Sequence, residues 1–271
     1  MDREAYYISK MKSPYIGDDG ALVNGLIYSM DAFCENTHFK REWMSLEQIA
    51  SKAMLINISD AIAMNAKPLH ALISISLPHD ITTNEIDALT SGFNNVASQY
   101  ECEIIGGDTV GGDKLDITIT IVSQSNNPLL RTGLQEGDIL AYTGTLGSSK
   151  QDLNRLFKGE KIQADSRFIA PTLRDDFIYS AREYLRVGMD ISDGLFCDTN
   201  KLLELNNLGC ELTQEIEYEV GSSGEEYEML IGFDPKHLQI IQELANDLPI
   251  TPFAKVIAKS STPLPCKSHH F

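Results

Sequence analysis

"CEIIGGDTVGGDKLDITITIVS", residues 102–123, decides the fold reading because it holds two strands of different character. Residues 102–108 are apolar up to a glycine pair and Asp108, whereas 115–123 alternate apolar and polar side chains, the period of a strand with one buried face. Upstream, "PLHALISISL" (68–77) reads as a buried strand. Between them, Thr82 and Glu85 form a capping box. It opens a helix in which Ile86, Leu89, Phe93, Val96 and Ala97 recur at three- and four-residue spacing. An earlier capping box, Ser45 with Gln48, starts a helix whose buried side is Ile49, Ala53, Met54, Ile56 and Ile58. Before it, "LIYSMDAF" (26–33) follows the turn residues Asn24 and Gly25 and predicts a short strand ending near Asp31. The order β-α-β-α-β-β is an α+β unit of the split βαβ kind.

The stretch "SQSNNPLLRTGLQEGD" (123–138) is polar and turn-rich, and predicts a boundary between domains at 1–125 and 126–271. Beyond it, strands are expected at 139–147, 185–192, 227–233 and 252–258. Helices are expected near 148–157, 174–185, 194–207 with Gly209 as C-cap, and from Pro235 to about Leu248. Both halves mix strands and helices, so two α+β or α/β domains are expected.

The chain of 271 residues carries 22 Lys and Arg against 39 Asp and Glu, a net charge of −17. That balance argues against nucleic acid or an anionic membrane as the main partner, and any phosphate ligand would need metal ions. The five cysteines, Cys34, Cys102, Cys197, Cys210 and Cys266, form no CxxC pair, so neither a disulfide framework nor a zinc site is expected, and the compartment reads as a reducing cytoplasm. The first 19 residues show no apolar stretch resembling a signal peptide and no run of 18 apolar residues occurs, so neither export nor a membrane span is expected.

Aspartates carry the chemistry. Asp18 and Asp19 follow Gly17, Asp31 and Asp108 close strand patterns, Asp60 sits where a helix gives way to a loop, and Asp190 and Asp193 bracket a strand end in "DISDGL" (190–195). Several like charges buried together cost several kcal/mol each unless cations neutralise them, and Mg²⁺ is the usual hard cation for carboxylates plus substrate phosphates. "GTLGSSK" (144–150) lacks the spacing of a phosphate loop, so Lys150 reads as a solvated helix start. His38 would not be chosen on spacing alone, and no Ser-His-Asp or Cys-His arrangement supports covalent catalysis.

Together, "IGDDGALV" (16–23), "SMDAFCENTHF" (29–39), "NISDAIAMNAKP" (57–68), "IIGGDT" (104–109), "RTGLQEGDILAYTGTLG" (131–147), "MDISDGL" (189–195) and "GEEYEML" (224–230) resemble, in order, the thiamine-monophosphate kinases, of the superfamily that includes aminoimidazole ribonucleotide synthetase and selenophosphate synthetase. The resemblance implies a two-domain fold in which N-terminal strands of two subunits form a β-barrel across a homodimer, beside a C-terminal α/β domain. It implies ATP-dependent phosphorylation of thiamine monophosphate to thiamine diphosphate by direct in-line transfer, with several Mg²⁺ ions and no covalent catalytic residue. Asp19, Ser29, Asp31, Asp60, Asp108, Asp190 and Asp193 match metal-ligand positions; Tyr100, Gly107, Asp108, Arg131 and Ser192 match ATP contacts; His38 and Glu225 match positions near thiamine monophosphate.

Three departures stand out against that pattern. Met30 replaces a hydroxyl residue before Asp31, "SGEEY" replaces "GGEDY" at Ser223 and Glu226, and Ser268 stands where an aromatic commonly precedes the final His270-Phe271. The competing readings are a sister ATP-dependent synthetase and a non-catalytic protein that binds nucleotide or divalent cations.

Overall fold

Helix α2 (Leu46–Ala63) is the element around which both halves of the chain pack. The computed structural model describes residues 3–259 and 262–266; Ser268, His270 and Phe271 lie outside the described residues. The chain opens with a short helix, α1 (Arg3–Ile8), and a three-residue strand, β1 (Ala21–Val23). Then follow β2 (Leu26–Cys34), α2, β3 (Lys67–Pro78), α3 (Thr83–Gln99), β4 (Glu103–Gly112) and β5 (Asp116–Gln124). The sheet order is β1-β2-β5-β3-β4. Strand β5 lies antiparallel to both β2 and β3, so these two run parallel with α2 as their crossover, which is the split βαβ unit read from the sequence. Strand β4 pairs parallel to β3 through α3 and forms an edge.

Both capping boxes form in each direction; at α2, the Gln48 N–H donates to Ser45 Oγ at 3.2 Å and the Ser45 N–H to Gln48 Oε1 at 2.9 Å. Two strands run further than their apolar patterns. The β2–β5 ladder continues to Cys34 opposite Asp116, and the β3–β4 ladder to Pro78 opposite Gly112. Asp31 and Asp108 are therefore mid-strand, not terminal, because backbone pairing carries the chain past the polar residue.

The second sheet contains β6 (Ile139–Thr143), β7 (Val187–Asp190), β8 (Leu208–Leu212), β9 (Met229–Phe233) and β10 (Ile250–Ala258), ordered β7-β9-β6-β10-β8 and antiparallel throughout. Its helices are α4 (Ser148–Phe157), α5 (Asp175–Ala181), α6 (Leu195–Asn206), α7 (Tyr218–Gly221) and α8 (Leu238–Ala245). Gly209 is not the cap of α6. Asn207, left-handed at φ 53°, ends that helix, and Gly209 belongs to β8 opposite Ile257. Lys150 does start a helix, but Ser222 Oγ at 2.8 Å and Glu219 at 2.9 Å tie its ammonium down.

One hydrophobic cluster runs from Phe33 and Ile49 through Phe168 and Phe177 to Phe233 and Ile250, joining residues of both sheets. Cys197 and Cys266 are disulfide-bonded, which corrects the expectation of unpaired cysteines. Residues 69 apart carry no spacing signal; the pairing follows because the tail runs back along α6, where Asn200 and Leu264 exchange two 2.9 Å hydrogen bonds. No helix among the described residues is long and apolar enough to cross a membrane.

Gly92 of α3 touches α2 so closely that a Cβ there would sit 2.2 Å from the Glu47 carbonyl oxygen and 2.8 Å from Ala50 Cβ. Gly92→Ala is therefore expected to destabilise the fold by about 1–3 kcal/mol, as overpacking does, read as a lowered midpoint in urea unfolding with an unchanged slope.

Candidate metal centre and cleft

Helix α2 has no solvent face for most of its length, and its Lys52, Asn57 and Ser59 are buried along with its apolar residues. Each of these polar groups reaches a wall of one cleft. Asn57 Oδ1 accepts the Asp31 N–H of β2 at 2.7 Å, while its amide nitrogen donates to the Ala53 carbonyl at 2.9 Å. Ser59 donates to Asp190 Oδ2, at the end of β7, at 2.6 Å. Lys52 donates to Glu225 at 2.7 Å and lies 3.8 Å from the centre of the Phe168 ring. The cleft so formed has a volume of about 320 Å³.

Asp19, Asp60 and Asp190 each offer a carboxylate oxygen to one point, all within 4.8 Å of one another. Burial pushes the Asp60 carboxyl well above the ordinary range, and Asp31, Asp190 and Asp19 push it further. Asp190 is raised by burial and by Asp19, against the lowering effect of its bond to Ser59. Asp31 lines the same cleft. An all-oxygen group of crowded carboxylates suits a hard divalent cation such as Mg²⁺, so the residues present fit the ion the fold implies.

Arg131 holds one side of this group. Its guanidinium grips the buried carboxylate of Asp19 with two bonds, at 2.5 and 3.3 Å, and its backbone N–H donates to Asp18 at 2.6 Å. One full charge of the cluster is thus balanced by protein. Ser192, Asp193, His38 and Glu225 also line the cleft. His38 Nδ1 accepts the Cys34 N–H at 3.0 Å, fixing the ring so that its Nδ1 lone pair is used internally.

Four of the expected positions fall elsewhere. Ser29 is buried against α2, its hydroxyl 3.5 Å from the Asn57 carbonyl, and it does not line the cleft. Tyr100 caps α3 close to Asp175 and Asp176 of α5, where burial pushes its hydroxyl up to about 12. Gly107 and Asp108 lie on the exposed edge strand β4 and line a separate hollow of about 590 Å³ with α3. Asp108 shares a cross-strand row with Ser74, Thr118 and Ala32, and Ala32 lines the cleft. At three inter-strand spacings, Asp108 is roughly 14 Å from Ala32. Gly107 has a structural reason of its own, because a Cβ there would meet the Ile73 carbonyl oxygen at 1.7 Å.

The sequence reading missed Lys52, Ser59, Tyr227, Asp198 and Lys201. For α2 a signal existed: Lys52, Ile56 and Asp60 are spaced i, i+4, i+8, one helix face, and two of them line the cleft. Tyr227 is enclosed beside Glu225, Asp31 and Asp190, and burial raises its hydroxyl. Asp198, wholly buried in α6, is pushed up to about 7 by burial despite the neighbouring Lys201.

Comparison with known proteins follows the same outline. Residues 17–124 match the family described as AIR synthase related protein, N-terminal domain. The thiamine-monophosphate kinase of Aquifex aeolicus is 31% identical over 215 residues, covering 76% of this chain and 70% of the relative. That of Bacillus subtilis is 33% identical over 218 residues, covering 74% and 67%. A solved structure described as AaThiL complexed with AMPPCP and TMP superimposes with a TM-score of 0.83 at 26% identity, covering 96% of this chain and 94% of that one. With this identity spread over most of both sequences and the same fold across nearly the whole chain, the protein belongs to the thiamine-monophosphate kinase family.

Proposed function

We propose that this chain transfers the terminal phosphoryl group of ATP to thiamine monophosphate, giving thiamine diphosphate in the cytoplasm. The observation that carries the reading is the buried convergence of Asp19, Asp60 and Asp190 at the junction of the two sheets, in a chain of this family. The relative's complex with an ATP analogue and TMP supports the same pair of substrates here.

Transfer between two anionic substrates asks mainly for positioning and charge neutralisation. Mg²⁺ held by Asp19, Asp31, Asp60 and Asp190 would offset the phosphate charge and that of the transition state. The chain's own groups do the positioning. Arg131 fixes Asp19, Ser59 fixes Asp190, and Lys52 fixes Glu225, so the acidic wall keeps its shape as substrates enter. His38 and Glu225 stand at the proposed acceptor end and Ser192 at the nucleotide end. Transfer is direct, with no side chain taking the phosphoryl group.

We further propose a homodimer in which residues 1–125 provide the shared barrel, and 126–271 complete the nucleotide site. Two features support it. Strand β4 is an edge exposed over most of its length, and the sheet's outer face shows Tyr28, Met30, Leu72 and Val110, with Met30 63% exposed. Tyr100, Gly107 and Asp108 stand outside the cleft of their own chain, as expected if a second copy brings nucleotide contacts together across the interface.

Incubation with ATP, Mg²⁺ and thiamine monophosphate is expected to yield thiamine diphosphate; no product at saturating substrate overturns the assignment. Asp108→Asn is expected to lower turnover by at least about 100-fold with an unchanged thermal midpoint, the scale for loss of one transition-state charge contact. Mixing that variant with Asp60→Asn after partial unfolding and reassociation should restore part of the activity if the site is built from two chains, and none if it is not.

The raised carboxyls also set a pH dependence. A carboxyl raised in the native state keeps its proton to higher pH than in the unfolded chain. Its stabilising contribution is thus full below about pH 4 and is lost as pH rises through the raised value. Without metal, the thermal midpoint is expected to fall above that range. Mg²⁺ takes the ionised form, so its stabilising shift should grow as pH rises through the raised value and vanish in Asp60→Asn.

A further inference from the structure

The cleft is unevenly supplied with positive charge. At one end, where Asp19, Asp60 and Asp190 converge, Arg131 is the one arginine among the described residues that line the cleft. At the other, Asp193 and the buried Asp198 share one ammonium. Lys201 Nζ donates to Asp193 Oδ2 and, at 3.3 Å, to Asp198 Oδ1. This arrangement is built by the start of α6. Asp198 Oδ2 accepts the Asp193 backbone N–H at 3.1 Å, drawing the loop after β7 onto the helix. Lys201, one turn further on at i+3 from Asp198, reaches back to close the pair. A lysine directed at a helix N-terminus opposes the helix dipole, and the two carboxylates offset that cost. Burial works against the Lys201 ammonium, but Asp198 and Asp193 together outweigh it and raise it.

We infer that Lys201 is a fixed cation of the nucleotide end of the cleft, partnering Asp193 in place of a divalent ion and offering its remaining N–H to a phosphate oxygen of the nucleotide. An ammonium has three donors, and the described residues account for two of them. The side chain is 43% exposed and lines the cleft beside Ser192 and Asp193, so the third donor is accessible to a ligand. Of the two ends of this cleft, only the Asp19–Asp60–Asp190 end then needs divalent ions, for three oxygens converge there beside Arg131. Lys201 acts here as a point charge, not a bidentate clamp, and Arg can take its place.

The inference rests on reading the cleft as a nucleotide site, and two binding measurements on the full chain separate the two ideas without requiring turnover. Mn²⁺ titrations followed by electron paramagnetic resonance count tight ions per chain. Wild type and Asp193→Asn should bind the same number, whereas loss of one ion in Asp193→Asn overturns the role given to Lys201. Calorimetry with ADP in excess EDTA reads the metal-independent contact. Lys201→Met should weaken ADP binding by about 10-fold or more, the scale of one hydrogen bond to a charged group, and Lys201→Arg should stay within about threefold of wild type. Equal affinity in wild type and Lys201→Met overturns the inference. Should Lys201→Met leave Asp198 too costly to bury, Lys201→Met/Asp198→Asn removes that charge and is read against Asp198→Asn alone. Failure of wild type to bind ADP even with Mg²⁺ overturns the nucleotide reading itself.

Discussion

A helix without a solvent face must settle every polar group it carries inside the protein. Helix α2 is in that position, and the three buried polar residues it brings to the interior, Lys52, Asn57 and Ser59, would each cost about 1–3 kcal/mol or more if left unpaired. Their partners are therefore fixed points of the structure. Asn57 sets the height of β2 through the Asp31 N–H, Ser59 sets the end of β7 through Asp190, and Lys52 sets the 223–227 loop through Glu225. The walls of the cleft stand where they do because one helix has nowhere else to place its hydrogen bonds.

Asp60 and Asp190 are a different matter, since among the described residues the raising effects of burial and like charge on them outweigh those of Ser59 and Arg131. Desolvation and mutual repulsion act together on Asp60 and Asp190, with penalties of several kcal/mol per buried charge. A hydroxyl from Ser59 offsets about 1–3 kcal/mol of this and Arg131 neutralises one charge of several, so repulsion wins in the bare chain. Packing alone would not retain such a group. Its presence at the end of a well-satisfied helix is the stability cost of the cation binding proposed for this cleft.

Local signals were the legible ones. Two capping boxes, the period-two pattern of 115–123 and the three-to-four spacing of 83–99 lie within a few residues of their own cause, and each element formed. Strand β8 was hidden because Gly209 reads as a cap, when in fact Asn207 takes the left-handed turn. The ends of β2 and β4 were hidden because ladder pairing, not side-chain pattern, sets them. Of the site, the aspartates were legible as one acidic, cation-seeking set, but not which oxygen meets which, since Asp60 and Asp190 are far apart in sequence. The partners of Lys52 and Ser59 were hidden for the same reason, lying 173 and 131 residues downstream, although Lys52 shares a helix face with Asp60. The Cys197–Cys266 pair follows suit.

Three of the contacts that join the segments before residue 126 to those after it across the cleft are Lys52 with Glu225, Ser59 with Asp190, and Asp19 with Arg131. They act as latches in the mechanical sense. A hinge motion that swung the two sheets apart would have to break all three at once and expose the shared apolar cluster, so the cleft cannot work as a pair of jaws. Substrates then enter and products leave a cleft whose frame stays closed around them.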